Sequence, residues 1–521
     1  MKKIIISTLA ISALLFTTSC EDDFDTDVND VVITSGEANF SRYVSLGNSL
    51  TSGYRDGALY SGGQNESYPL IIAQQMKLAG GGDFKQPLMP NNTGGFNNLP
   101  GFPGKLTLQV NNGALTPVAG TPGGALDNIA SGRPYQNMGV PGAKSFHLVA
   151  PGYGSLAGLA NGTANPYFVR FASSATTSVL VDAISQAPTF FSLWIGNNDV
   201  LSYATNGGTN SQTVGGVTTY TAATVQPATA NPATYRSNDI SNPNVVAASI
   251  KAVLDGLKGA GAAKGVIANI PDVTNIPFFT RVPYNAIPLD AAKAQALNTQ
   301  LYGPLKAVLT AYGQGNRINP VVAGNNPVLI IDNKLNDLSA QLTAALAANG
   351  YPATQAAFIG NAFGRARQAK PGELMLLTSS SLLGLDATTN QPATPSSVFI
   401  YGASFPIGDQ YSLTADEVSN ISTAVAAYNT SIKSMADSYG LAFVDMNQKM
   451  VELNSKSGIT YNGVKYSATF VSGGTFSLDG VHLTGRGYAI VANEFIKSIN
   501  MKYRSNLPQV DANKYSGVTF P

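Results

Sequence analysis

Cysteine and histidine are almost absent from this sequence, which has one cysteine and two histidines in 521 residues. A lone cysteine excludes an intramolecular disulfide framework, and so few histidines exclude nearly every zinc or transition-metal site built from these two residue types. We therefore predict neither a metal centre nor a cofactor. Any histidine-dependent chemistry has only two candidates, His147 and His482.

Charge is also scarce, since only 12% of the residues are Asp, Glu, Lys or Arg and the net charge is +1. The basic residues form no stripe or cluster, so the sequence lacks the electrostatic footprint of a nucleic-acid-binding protein. We predict no nucleic-acid partner. The hydrophobic fraction of 44% excludes a chain that is disordered throughout, while 53 glycines and 29 prolines indicate a folded protein rich in loops.

The N-terminus has the pattern of an export signal. Two lysines precede a largely apolar run over 4–16, and small polar residues then lead to Cys20. These 13 residues are too short to cross about 30 Å of hydrocarbon, which favours a signal peptide over 1–19. Cys20 stands where a bacterial lipoprotein is cleaved and lipidated, although Thr17 departs from the usual leucine. The alternative is ordinary secretion with an incidental cysteine.

An acidic stretch follows Cys20. Glu21, Asp22 and Asp23 resemble the export tag on surface lipoproteins of Bacteroidetes. We therefore expect residues 20–40 to form a solvated tether. The membrane is the expected partner through a lipid on Cys20, and the expected location is the bacterial outer membrane, with its outer face favoured.

Strand and helix patterns alternate along the rest of the chain. The β-prone runs lie at 43–46, 189–195, 265–270 and 441–444, and the helical patterns at 245–257 and 414–439. Thr414 and Glu417 have the spacing of a capping box at the start of the last helix. This alternation predicts βαβ crossovers, and hence an α/β fold with a mostly parallel sheet covered on both faces.

Three stretches interrupt the alternation, near 85–135, 201–240 and 335–410, and all are rich in Gly, Pro, Thr or Asn. We interpret them as insertions into one domain over 41–502, which is followed by a C-terminal tail over 503–521. The second insertion is expected to be an exposed loop. The third contains apolar runs and is expected to form a small subdomain.

Ser49 follows the first predicted strand, in Gly47-Asn48-Ser49-Leu50. A serine hydroxyl is a weak nucleophile that needs an adjacent base, and the base needs a third group to orient it. Near the C-terminus, Asp479 lies three residues before His482. We predict Ser49 as a nucleophile, His482 as its base and Asp479 as the group that orients the imidazole ring.

Such a nucleophile also needs donors for the oxyanion of a tetrahedral intermediate. Asn198, at the end of the second predicted strand, offers a side-chain amide, and Gly142 offers a backbone N–H in a turn. The N–H of Ser49 is a third candidate. Gly139 remains an alternative to Gly142, and Asp199 is interpreted as a cap of the following helix.

In this order, Ser49, Gly142, Asn198 and His482 resemble blocks I, II, III and V of the SGNH (GDSL-like) hydrolase family. Asn48 departs from the pattern, because the family has aspartate there. The stretches 268–279 and 373–383 are also similar to lipase-like surface proteins of Bacteroidetes.

The resemblance implies a three-layer α/β/α, flavodoxin-like fold and hydrolysis of an ester through an acyl-enzyme, without metal or nucleotide. It leaves the substrate open, because a shared fold hosts many activities. A lipase or carboxylesterase is favoured, and an esterase for acetylated glycans is the alternative.

Other interpretations of the same residues remain open. Ser49 also fits a turn or capping serine, and His482 a structural histidine bonded to Asp479. The whole chain also fits a non-enzymatic surface protein that binds glycans, or an acyl transferase that excludes water. We predict a loop or surface role for His147 and a core position for Trp194.

Overall fold

A parallel sheet of five strands lies at the centre of the computed structural model, which describes residues 32–111 and 114–521. The strands are β1 (Tyr43–Gly47), β2 (Asn137–Gly139), β3 (Phe190–Trp194), β4 (Lys264–Ala268) and β5 (Ala442–Val444). Their order is β5-β4-β3-β1-β2, and every neighbouring pair is parallel. The predicted α/β class with a mostly parallel sheet is confirmed. The predicted signal peptide and Cys20 lie outside the described residues.

The strands at the middle of the sheet are buried along their whole length. All residues of β1 (YVSLG) and of β3 (FFSLW) are buried. Continuous burial of this kind is typical of parallel strands that are covered on both faces. The two buried hydroxyls of Ser45 and Ser192 bond to each other across the strands at 2.8 Å, so neither lacks a partner.

Helices pack in two groups around this sheet. They are α1 (Ser49–Ser52), α2 (Tyr68–Leu78), α3 (Val179–Ile184), α4 (Asn198–Thr205), α5 (Pro243–Gly259), α6 (Ala415–Ser438), α7 (Met446–Asn454) and α8 (Gly485–Tyr503). Helix α2 packs against α8, whereas α5 packs against α3 and α6. The predicted capping box of Thr414 and Glu417 is confirmed at the start of α6. Within the described part of the chain, no helix has the length and apolarity to span a bilayer.

The stretch near 85–135 contains a β-hairpin, in which Gly104–Asn111 pairs with Ala114–Gly120. The hairpin is attached to the segment that follows α1, because the N–H of Leu106 donates to the carbonyl oxygen of Asp56 at 2.7 Å. This insertion therefore reaches the same end of the molecule as Ser49.

Most of the stretch near 201–240 is exposed, but it forms a hairpin where the sequence predicts a loop. Thr209–Val214 pairs with Val217–Ala222, and most of these residues are exposed. Thr, Val and Tyr favour strands, and Gly215 and Gly216 supply the positive φ angles that a tight hairpin turn requires.

A second lobe covers residues 282–407 and has hydrophobic clusters of its own. It contains the strand pairs Ile287–Leu289 with Gly324–Asn326 and Leu329–Ile331 with Ala366–Gln368, and the helices Ala291–Leu297, Gly303–Ala311, Ser339–Ala348 and Ala353–Phe363. The lobe begins well before the insertion predicted at 335–410. Its first residues lack the Gly- and Thr-rich composition that suggested an insertion, so composition alone placed the boundary too late.

The last part of the predicted tether over 20–40 belongs to the folded domain. Ala38 and Phe40 are buried, and the Phe40 ring contacts Phe190, the first residue of β3, at 5.0 Å between ring centres. The N–H of Glu37 donates to the carbonyl oxygen of Tyr503. The chain therefore enters the domain at the amino-terminal ends of the strands.

The predicted tail over 503–521 is also packed against the domain. Leu507 and Ala512 are buried, and the N–H of Ser516 donates to the Glu66 carboxylate at 3.1 Å. The C-terminal residues therefore contact the segment that follows β1 and α1, close to the candidate site.

Candidate active site

Three strands of the sheet end side by side at one edge. In register, Gly47 at the end of β1 lies between Gly139 at the end of β2 and Trp194 at the end of β3. The carboxyl ends of parallel strands meet at one edge, where α/β proteins bind ligands. Each of the turns after these strands carries one of the residues that the sequence predicts for the site.

Ser49 is the first residue of α1, in a tight turn from strand to helix. Asn48 caps this helix, because its side chain accepts a hydrogen bond from the N–H of Leu50 at 3.1 Å. A Cβ atom at Gly47 would lie 2.1 Å from the Thr51 hydroxyl, so the turn requires glycine. As the first helical residue, Ser49 has an N–H without an acceptor inside the helix.

The side chain of His482 lies between Ser49 and Asp479. Its Nε2 is 2.8 Å from Ser49 Oγ, and its Nδ1 is 2.9 Å from Asp479 Oδ2. Nδ1 donates to the carboxylate, which leaves Nε2 to accept the serine proton. The three side chains predicted as a triad are thus in contact, although Ser49 and His482 are 433 residues apart in the chain.

Backbone N–H groups hold the carboxylate of Asp479. Its Oδ1 accepts from the N–H groups of Val481 and His482 at 2.9 and 2.8 Å, and its Oδ2 accepts from the N–H of Gly57 at 2.9 Å. Burial alone would raise the pKa of Asp479, but the His482 ring and the N–H groups of Val481 and His482 outweigh burial and lower it. Asp479 is therefore ionised at neutral pH, as an orienting carboxylate must be.

Gly142 lies in the turn after β2 with a φ of +80°, a conformation that favours glycine. It is exposed, and its N–H has no acceptor among residues 32–111 and 114–521. The N–H of Gly139, in contrast, donates to the Asn137 side chain at 3.0 Å. Of the two glycines that the sequence left open, Gly142 is the one with an N–H available to a substrate.

Asn198 is the first residue of α4, in the turn after β3. Its side-chain nitrogen donates to the carbonyl oxygen of Ala143 at 3.0 Å, which ties it to the turn that carries Gly142. A side-chain amide has two N–H groups, and this bond uses one of them. The structure thus brings Asn198 and Gly142 together, as a pair of oxyanion donors requires.

The prediction that Asp199 caps α4 is wrong. Its two carboxylate oxygens accept from the N–H and the hydroxyl of Ser145 at 2.7 and 2.9 Å. Burial raises the pKa of Asp199 in spite of the nearby Lys144. A partner from another segment has replaced the local capping bond, and Asp199 anchors the turn after β2 to α4.

His147 lies apart from the triad, in a short helical turn after Gly142. Its Nδ1 accepts from the N–H of Lys144 at 3.0 Å, and its ring stacks on Tyr153 at 4.5 Å. Burial lowers the pKa of His147 to about 3, and Lys144 adds to the shift. His147 is therefore a neutral, half-buried packing residue.

Trp194 is in the core, as predicted. Only 3% of its surface is exposed, and its indole N–H donates to the carbonyl oxygen of Asn269 at 3.0 Å. This bond connects the ends of β3 and β4 and satisfies the only polar atom of the side chain.

A turn that the sequence analysis missed contacts the triad. Gly57, whose N–H holds Asp479, follows Asp56, and the two residues form the tip of a tight turn. Tyr54, just before this turn, packs against the His482 ring at 4.6 Å between ring centres. The dipeptide Asp-Gly is a strong signal for such a turn, but nothing in the local sequence connects it with residue 479.

An apolar cavity of about 90 Å³ is lined by the chain neighbours of two triad residues, and no triad residue lines it. Leu50, which follows Ser49, lines it, as does Val481, which precedes His482. Its walls come from five separate parts of the chain, and they also include Trp194, Ile276, Met450 and Ile490. No contiguous motif marks this cavity, so the sequence analysis missed it as well.

No group of three or more potential metal ligands of the His, Cys, Asp or Glu type occurs in the described part of the chain. The chain matches no known protein-family model. No curated protein matches it at a significant level either. Its function must therefore be argued from the site itself.

Proposed function

We propose that this protein is a serine esterase that hydrolyses carboxylic esters through Ser49, His482 and Asp479. The observation that carries the proposal is the pair of His482 contacts, 2.8 Å to Ser49 Oγ and 2.9 Å to Asp479 Oδ2. A histidine placed between a serine and a carboxylate that is largely shielded from water is the arrangement that activates a hydroxyl as a nucleophile, and the Asp479 side chain is 13% exposed. Membership of the SGNH family, with its three-layer α/β/α fold, is part of the proposal, and the parallel sheet is compatible with it.

In the proposed reaction, Ser49 Oγ attacks the ester carbonyl carbon while His482 Nε2 takes the hydroxyl proton. The resulting oxyanion accepts hydrogen bonds from the N–H groups of Gly142 and Ser49 and from the Asn198 amide. The bond to the alcohol oxygen then breaks, and His482 returns its proton to the departing alcohol. Water, deprotonated by His482, then attacks the carbonyl carbon of the acyl-enzyme. The bond between that carbon and Ser49 Oγ breaks, His482 returns the proton to Ser49 Oγ, and the carboxylic acid is released.

The apolar cavity supports a substrate whose acyl group is an aliphatic chain. Leu50 and Val481, the chain neighbours of Ser49 and His482, both line it, and the proposed acyl chain enters the cavity from the side of these two residues. A cavity of about 150 Å³ holds benzene, so one of about 90 Å³ holds about three or four carbon atoms. We therefore favour short-chain carboxylic esters over acetylated glycans, because an acetyl group would leave most of this space empty.

The proposed location is the outer face of a bacterial outer membrane, with a lipid on Cys20. The apolar run, the cysteine and the acidic residues after it support this location. Expression with an alkyne fatty acid tests it, since the wild type should incorporate the label and Cys20→Ala should not. Surface exposure is measured separately, by protease treatment of intact cells.

Labelling with a fluorophosphonate probe tests the proposed chemistry. The chain without its first 20 residues is compared with Ser49→Ala and His482→Ala, and Ser380→Ala serves as a control because Ser380 is an exposed serine outside the site. We expect labelling of the wild type and of Ser380→Ala only. A folded wild type that stays unlabelled and hydrolyses no p-nitrophenyl ester would contradict the proposal and favour the glycan-binding alternative.

The same protein also distinguishes a hydrolase from an acyl transferase. Incubation of p-nitrophenyl butyrate with an added alcohol gives butyric acid if water resolves the acyl-enzyme. A new ester as the main product would instead assign an acyl transferase.

A further inference from the structure

A two-residue hairpin turn lies beside the candidate triad. Its central residues are Asp56 and Gly57, and they are flanked by Arg55 and Ala58. Arg55 and Ala58 exchange two backbone hydrogen bonds at 3.2 and 3.1 Å. Asp56 and Gly57 have φ angles of +54° and +73°. Positive φ at both central positions is characteristic of a type I′ turn, which favours Asp-Gly and leaves the two central N–H groups free for other partners.

Three hydrogen bonds join this turn to the segment that carries Asp479. The N–H of Gly57 donates to Asp479 Oδ2 at 2.9 Å, and the N–H of Asp56 donates to the Ser477 hydroxyl at 2.9 Å. In return, the N–H of Leu478 donates to Asp56 Oδ1 at 3.1 Å. Asp479 Oδ2 is also the oxygen that faces His482 Nδ1, so the turn fixes the atom that orients the imidazole ring.

The second carboxylate oxygen of Asp56 begins a chain of contacts that reaches the C-terminal tail. The Tyr60 hydroxyl donates to Asp56 Oδ2 at 2.7 Å, and Arg55 Nε donates to that hydroxyl at 2.6 Å. Arg55 Nη1 then contacts Glu66 at 2.6 Å and the Ser516 hydroxyl at 2.8 Å. Arg55 and Tyr60 are buried, so the contact between them is shielded from water, whereas Glu66 is partly exposed and Ser516 is exposed.

We propose that Asp56 is a positioning residue, which holds Asp479 in the orientation that His482 needs. This inference rests on the proposed esterase function and adds a residue to it. Without the Asp56 carboxylate, the Leu478 N–H and the Tyr60 hydroxyl both lose an acceptor, and the segment around Asp479 is free to shift. A displacement of about 1 Å in a catalytic group costs roughly 100-fold in rate.

Two substitutions of Asp56 distinguish the effect of losing its carboxylate from the effect of backbone strain at its positive φ angle. Asp56→Gly removes the carboxylate and tolerates a φ of +54°, so backbone strain does not contribute. Asp56→Asn keeps an oxygen that accepts from the Leu478 N–H, and Asn also tolerates this conformation. Its amide nitrogen can only donate, so the Tyr60 hydroxyl still loses its acceptor. We expect Asp56→Gly to lower kcat roughly 10- to 100-fold with an unchanged KM. Asp56→Asn keeps the bond to Leu478 and should lower kcat by less, about three- to tenfold.

The wild type is measured first, with p-nitrophenyl butyrate and with the fluorophosphonate probe. A wild type that neither turns over nor labels overturns the esterase proposal itself. An active wild type together with a folded Asp56→Gly of equal kcat overturns only the positioning role, as does a change confined to KM. Thermal unfolding of each variant shows which proteins are folded at the assay temperature.

A second variant tests the positioning role of Asp56 if Asp56→Gly does not fold. Tyr60→Phe removes only the hydroxyl that holds Asp56 Oδ2 and leaves the carboxylate in place. A kcat several-fold below the wild type with an unchanged KM supports the positioning role. An unchanged kcat overturns it.

Discussion

The side-chain nitrogen of Asn48 lies 3.3 Å from the side-chain oxygen of Asn197, and this contact joins the turn after β1 to the turn after β3. Asn48 stands where the SGNH pattern has aspartate, and its own oxygen caps α1 through the N–H of Leu50. An amide serves both contacts because it has a donor and an acceptor. The departure from the family pattern therefore has a local structural reason and leaves Ser49 in place.

Replacement of Asp479 by asparagine tests the orienting role of its carboxylate. Asp479→Asn presents an amide to His482 Nδ1, which favours the wrong tautomer of the ring. We expect kcat for p-nitrophenyl butyrate to fall roughly 10³- to 10⁴-fold, while KM changes little. A folded Asp479→Asn protein with near-wild-type kcat would exclude Asp479 from the triad.

Removal of the Asn198 side chain tests the oxyanion site. Asn198→Ala removes one donor of a developing negative charge, and we expect kcat to fall about 10²- to 10³-fold. Asn206→Ala is the matched control, because Asn206 is an exposed residue at the other end of α4. Equal kinetics of the two variants would show that Asn198 only ties the turn at Ala143 to α4.

Alanine substitution distinguishes the two glycines of the turn after β2. A Cβ at Gly142 meets only Asn165 Nδ2 at 3.8 Å, so Gly142→Ala has space and suffers mainly from its positive φ, at a cost of roughly 1–2 kcal/mol. A Cβ at Gly139 would lie 2.4 Å from the backbone nitrogen of Ser52. We expect Gly142→Ala to fold with reduced kcat and Gly139→Ala to be strongly destabilised, as measured by thermal unfolding. The reverse result would favour Gly139 as the oxyanion donor.

The ionisation of the Asp409 carboxyl group makes the free energy of unfolding depend on pH. Burial, and then the nearby Glu417, raise the pKa of Asp409 to about 7, whereas an unfolded aspartate titrates near pH 4. The folded state therefore binds this proton more tightly, and its contribution to stability is lost as the pH rises from about 4 to 7. Asp409→Asn keeps an acceptor for Asn333 and removes the buried charge. We expect its Tm to exceed that of the wild type at pH 8, and by less at pH 5.

The control for this pH effect is Asp416→Asn on α6, since the side chain of Asp416 is 80% exposed. Its Tm should follow that of the wild type at both pH values. A Tm difference between Asp409→Asn and the wild type that is equal at pH 5 and pH 8 would show that Asp409 does not titrate in this range.

Enlargement of the apolar cavity tests the acyl site. Met450 lines the cavity, and Met450→Ala adds room for about two or three carbon atoms at a stability cost of about 2–5 kcal/mol. We expect the preferred p-nitrophenyl ester to shift from butyrate toward hexanoate or octanoate. Val451→Ala, on the exposed side of the same helix, should leave the preference unchanged. An unaltered chain-length profile in Met450→Ala would place the acyl chain elsewhere.

The features that could be predicted from the sequence depend on short spacings. Asp479 reaches His482 because three residues separate them, and β1 and β3 are apolar runs that end at polar turns. The contact between Ser49 and His482 spans 433 residues, so spacing alone does not predict it. The order of the four motifs predicts this contact.

The features that could not be predicted depend on contacts between distant segments. Gly57 bonds to Asp479 across 422 residues, and Arg55 bonds to Ser516 across 461. Asp199 has the local sequence of a helix cap, but the buried Ser145 offers it a better partner. In each case the tertiary structure, which the local pattern does not contain, decides which hydrogen bond forms.

The chain enters the domain at the end of the sheet opposite the candidate site. Phe40 packs on the first residue of β3, whereas Ser49 follows the last residue of β1, and one strand of five residues spans about 16 Å. In the proposed lipid-anchored form, the membrane would therefore lie on the side of the amino-terminal ends of the strands, and Ser49 would lie at the other end of the sheet. Such an enzyme would hydrolyse esters from the surroundings of the cell. Its active site would not contact the lipids of the membrane that anchors it.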